Sequence, residues 1–91
     1  MSDINVSRAH GMSKDEALTK LKGIAADLTG RYGIDIDFRG DTASVKGKGV
    51  TGTANVSDTH VSLSLKLGLL LKALKGKIQG RVEEQFSEHF G

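Results

Sequence analysis

The sequence predicts an α+β domain of two layers, in the order β-α-β-β-β-β-α. An antiparallel sheet of about five strands, with four as the alternative, carries both helices on one face. Three observations point there. Apolar and polar residues alternate with period two through most of residues 34–67, broken by glycine-bearing or polar turn signals. Helically spaced apolar residues flank this block on both sides. The third is strand direction. If the first helix returns the chain so that strands one and two run parallel, a meander makes strand five antiparallel to strand one. Strand one can then pair with strand five, and both helices cover the single apolar face.

Ile4 and Val6 alternate with Asp3, Asn5 and Ser7, the period of a half-buried strand. Ser13-Lys14-Asp15-Glu16 reads as a capping box opening a helix over about 13–32. Its apolar face is Ala17, Leu21, Ile24, Ala25, Leu28 and Tyr32, and Gly33 followed by Ile34 supplies a left-handed stop. Ile34, Ile36 and Phe38 mark the second strand, and Gly40-Asp41 is a two-residue hairpin signal. A single strand over 42–56 would run to about 50 Å at ~3.3 Å per residue, too long for this domain. The split therefore falls at Gly47-Lys48-Gly49. A turn at Ser57-Asp58 leads to Val61, Leu63, Leu65 and Leu67. The second helix is expected from Leu69 or Leu70 to Phe90, with Leu71, Leu74, Ile78, Val82 and Phe86 facing the sheet.

Ninety-one residues make one small domain, 1–91. Leu, Val, Ile and Phe supply 24 of them, above the level that signals disorder. With no Cys there is no disulfide and no thiolate nucleophile. The first thirteen residues lack an apolar core segment, and no run approaches the ~18 apolar residues of a spanning helix. The expected setting is the cytoplasm. The net charge of +2 hides a segregation. Residues 1–58 balance at eight and eight; residues 59–82 hold five basic residues and no acid; residues 83–91 hold three glutamates.

Most chemical motifs fail on context. Gly47, Gly49 and Gly52 match G-x-G-x-x-G by letter, but a strand pattern follows where a phosphate-binding helix N-terminus is required. Asp35-Ile36-Asp37 faintly resembles a calcium loop, yet Arg39 and Lys46 stand where oxygen ligands are needed. His10, His60 and His89 lie on three separate elements, without the spacing of a zinc pair, and each reads as a surface or rim residue. Arg8 and His10 share the inward parity of Ile4 and Val6 and end that row, so they form a candidate anion-binding rim. Nucleic-acid binding is disfavoured, because the four aromatic residues supply few stacking platforms. No cofactor, metal or catalytic residue is expected.

The second helix breaks local rules. Lys72, Lys75 and Lys77 sit early and Glu83, Glu84 and Glu88 late, the reverse of what the helix dipole favours. Gly76 and Gly80 lie mid-helix, each costing about 1 kcal/mol relative to Ala. Leu69, Leu70 and Leu71 are consecutive and cannot all face one core. Concentrated rule-breaking is what a functional surface can look like.

Across nearly its whole length the chain resembles the polyhydroxyalkanoic acid system protein family, small bacterial proteins associated with polyhydroxyalkanoate storage granules. Ile4-Asn5-Val6-Ser7-Arg8-Ala9-His10 is similar to the family's apolar-x-apolar-x-Arg-x-His opening. Tyr32-Gly33, Gly40-Asp41 and Gly49-Val50-Thr51-Gly52 follow in the family's order. Leu65-Lys66-Leu67-Gly68-Leu69-Leu70 and Leu74-Lys75-Gly76-Lys77-Ile78 resemble its closing segment. Where the family often has Pro before the final helix turns, this chain has Lys72-Ala73. The resemblance carries no catalytic residues and implies a non-enzymatic accessory role. The partners it implies are the granule surface or granule-associated proteins. Leu69 and Leu70, rimmed by Lys72, Lys75 and Lys77, form the expected contact surface, suited to an apolar body with an anionic boundary. Gly76-x-x-x-Gly80 offers a competing use as a homodimer contact. A small-molecule or lipid carrier with a shortened helix-grip-like fold is the alternative function, using space left under the first helix by Ala43, Gly52 and Ala54. A pocket of roughly 300 Å³ there would favour it.

Overall fold

Ser13 opens the first helix as its side chain dictates. It holds an extended backbone, and its hydroxyl accepts the Glu16 backbone N–H at 3.2 Å, satisfying one donor of the first turn. In the computed structural model, which describes residues 3–90, this helix is α1 (Lys14–Tyr32). Its end is equally local. Gly33 adopts φ 66°, a left-handed conformation that costs a side chain energy, and its N–H returns to the Thr29 carbonyl at 3.0 Å.

The strands are β1 (Ile4–Ala9), β2 (Asp35–Arg39), β3 (Thr42–Gly47), β4 (Val50–Val56) and β5 (His60–Leu67). They form one sheet in the order β1-β5-β4-β3-β2, with every pairing antiparallel. The long strand pattern does break at Lys48-Gly49, where Gly49 turns the chain at φ 78°. Ile4 pairs with Leu65 and Val6 with Leu63, so β1 closes the sheet against β5 in the register that keeps both apolar rows on one face.

That face is the core. Val45, Val50, Ala54, Leu63 and Leu65 meet Leu21, Ile24 and Leu28 of α1, and all are buried. The final helical segment differs from the expected single helix. It divides into α2 (Leu69–Lys72) and α3 (Lys75–Phe90), joined by a turn in which Leu74 N–H donates to Leu71 O at 2.9 Å. The break has a geometric cause. Gly68 is tied by its N–H to the Gly49 carbonyl, which fixes where α2 starts. Ile78, Val82 and Phe86 have no exposure and fix where α3 lies. Ala73 and Leu74 reconcile the two. As a result Leu71 is only half-buried and Leu74 is exposed, rather than both facing the sheet.

The two helices are joined by charge as well as by the core. Arg81 Nε and Nη2 reach Asp27 Oδ2 and Oδ1 at 3.1 and 3.2 Å, a two-point bridge from α3 to α1. The Arg81 guanidinium, followed by Arg31, holds the Asp27 carboxyl below its ordinary value.

Candidate functional site

Local forces turn two leucines outward. Gly68 and Leu71 are the fixed points of α2: the first is bonded to Gly49, and the second lays its side chain over Gly49, within 3.8 Å of where a Cβ would stand. With Leu71 inward, a single helical turn points its neighbours away. Leu69 and Leu70 are 88% and 89% exposed, and Leu74 beside them is 37% exposed. Lys72, Lys75 and Lys77 are exposed around them. Leu69, Leu70, Lys72, Lys75 and Lys77 are thus all exposed, on α2 and the first turn of α3.

Gly76 and Gly80 lie on the exposed side of α3, and a Cβ at either would meet nothing within 4 Å. They are not required by close packing within the chain.

Asp3 belongs to the same end, and the sequence reading did not include it in the site. Its carboxylate accepts the Leu67 N–H at 2.7 Å. That bond holds its pKa below the ordinary value, and Lys72, Lys75 and Lys66 reinforce the shift. Only the antiparallel closure of β1 on β5 makes the cluster, so spacing in sequence could not reveal it.

Arg8 and His10 do not form a shared rim. His10 is buried rather than at the surface; its Nε2 lies 2.8 Å from Ser57 O and its Nδ1 3.1 Å from Met12 O. Both ring nitrogens face carbonyl oxygens, which repel an anion. The ring ties the loop before α1 to the β4–β5 turn, and Phe90 packs alongside at 6.4 Å between centroids. Arg8 is half-buried, with Nη2 donating to Ser87 Oγ at 3.0 Å and Nε buried without a partner.

The interior under α1 is filled. The gap among Leu21, Leu28, Phe38 and Leu63 amounts to ≈ 10 Å³, about one water molecule's probe sphere, far below the size of a ligand pocket. Ala43 and Ala54 are buried against their neighbours, and the space a Gly52 side chain would need is taken by the β5 backbone and Leu65. A larger concavity of ≈ 320 Å³ lies on the open outer face of the sheet, lined by Asp35, Asp37, Arg39, Ser44 and Lys46. Among the described residues, no group of three His, Asp or Glu is placed to hold a metal ion, and no helix is long and apolar enough to cross a membrane.

Fold and surface define a small two-layer α+β domain with a filled core and two exposed leucines on α2. A family model described as "Putative polyhydroxyalkanoic acid system protein" matches residues 4–90, and the chain belongs to that family. No curated protein and no solved structure matches it. Membership ties the chain to the polyhydroxyalkanoate system and is consistent with an accessory role.

Proposed function

We propose that the protein is a non-enzymatic accessory protein of polyhydroxyalkanoate storage that attaches to the granule surface through Leu69, Leu70, Lys72, Lys75 and Lys77. The supporting observation is the near-complete exposure of two adjacent leucines on a turn that packs only through Leu71. A contiguous apolar patch with a mainly basic border marks an interaction site more often than a lone exposed leucine does. A lipid-coated granule offers the complement, with acyl chains for the leucines and an anionic boundary for the lysines.

Burying a leucine side chain is worth about 1.5–3 kcal/mol, and each lysine near an anionic surface about 1 kcal/mol. Leu69→Ser with Leu70→Ser, and separately Lys72→Glu with Lys75→Glu, should weaken co-sedimentation with granules by tenfold or more. Oligomeric state should not change. Retained binding in both variants, at low and high salt, would sink the proposal. The open face at Gly76 and Gly80 favours a second reading, a homodimer through α3. Gly76→Leu should then dissociate a dimer detectable by sedimentation velocity.

A further inference from the structure

The lysines at the α2 end do not come from one segment. The β3–β4 turn carries Lys48, which is exposed, and stands beside α2 because Gly68 N–H is bonded to Gly49 O and Leu71 lies over Gly49. Asp35 pairs with Lys46, Lys46 with Thr51 and Thr51 with Lys66, so two lysines and one carboxylate share a row across the outer sheet face at this end. Both lysines are exposed. The charge of Lys66 reaches Asp3 together with that of Lys72 and Lys75, an independent sign that these groups converge.

The far end has the opposite sign. Chain direction puts the start of α1, the β2–β3 turn and the β4–β5 turn there, carrying Asp15, Glu16, Asp41 and Asp58. Lys14 at that end is paired with Asp41 at 2.7 Å. The domain measures 37 Å in its long direction against 25 and 24 Å, and a helix of nineteen residues runs about 28 Å, so the long axis follows the helices. Asp3 and Asp35 stand at the α2 end against Lys46, Lys48, Lys66, Lys72, Lys75 and Lys77, so the balance of charge there is positive and the exposed leucines lie at the positive pole.

We propose that the domain docks end-on to an anionic lipid surface, with Lys46 and Lys48 of the β3–β4 hairpin and Lys66 forming a second half of the footprint beside α2, and the acidic end held outward. The inference rests on the attachment surface proposed above and extends it to Lys66 and to Lys46 and Lys48, the last two more than twenty positions before Leu69. Nucleic acid would use the same charge but leave Leu69 and Leu70 in water. A lipid surface uses both.

The chain has no Cys, so single labels are clean probes. Lys48→Cys and Asp58→Cys, each carrying a polarity-sensitive fluorophore, are mixed with vesicles of equimolar phosphatidylglycerol and phosphatidylcholine. The label at position 48 should shift to the blue and the label at 58 should not. Lys46→Ala with Lys48→Ala should lower vesicle partitioning about 25-fold, roughly fivefold for each lysine. Lys22→Ala, on the flank of α1, should change it less than twofold. Equal response of both labels, or unchanged binding of the hairpin variant while the wild type binds, overturns end-on docking and leaves the α2 contact intact. A wild type that ignores anionic vesicles overturns both.

Discussion

His10 offers a sharp test of how this fold is held, because one ring joins two loops and the sequence alone makes it an anion-site candidate. His10→Leu keeps much of the volume beside Phe90 and removes the ring N–H that bonds to a loop carbonyl; a neutral imidazole carries one such donor, facing Ser57 O or Met12 O. That bond is worth about 1 kcal/mol net, and the part-buried carbonyl left unpaired costs a further amount within the ~1–3 kcal/mol desolvation range. With Ser57 O at 2.8 Å and Met12 O at 3.1 Å from the two ring nitrogens, one bond and one carbonyl predict a loss of about 2–4 kcal/mol. Urea unfolding followed by circular dichroism reads this directly. With a slope near ~1 kcal/mol per molar urea, the midpoint should fall by about 2 M or more at unchanged slope. A fall below about 0.5 M would mean that the ring does not tie these carbonyls together, and the reasoning would fail. Phosphate should leave the melting temperatures of wild type and variant in the same relation, since no anion binds at the ring.

Two further outcomes follow from the helix layer. The folded pKa of Asp27 is depressed, first by the Arg81 hydrogen bonds, so its stabilisation is present above the ordinary carboxylate value of 3.8 and lost as pH falls through the lower folded value. Asp27→Asn should therefore be less stable than wild type at pH 7, with the gap closing as pH falls below the ordinary carboxylate value of 3.8; a gap that persists in strong acid contradicts the bridge. Gly80→Ala and Gly76→Ala should each raise stability by up to about 1 kcal/mol in chemical denaturation, because a methyl group meets open space at both positions. Destabilisation at either would show that the face is covered.

The fold was legible where local chemistry decides it. Ser13, Gly33 and the period-two runs fix element type and ends without help from distant residues, and strand direction permits β1 beside β5, the pairing the sheet adopts. The outward leucines were legible for a similar reason, since three consecutive apolar residues on one helical turn cannot share a face. What escaped depends on contacts between distant segments. The break at Ala73-Leu74 follows from Gly68 meeting Gly49, a contact set by how β4 and β5 end. The parity of His10 pointed it inward correctly, but its partner Ser57 is 47 positions away, and only the closed sheet brings the two together. The bridge from Asp27 to Arg81 spans 54 positions and leaves no spacing signal at all.

The central claim is attachment through the α2 end, and co-sedimentation of the purified wild type with native granules tests it most directly, beside neutral and anionic vesicles at low and high salt. The account predicts recovery with granules and with anionic vesicles, little with neutral ones, and a decline as salt shortens the Debye length from ~10 Å at 0.1 M to ~3 Å at 1 M. Protein left in the supernatant with granules and anionic vesicles alike, at every salt concentration, would contradict it.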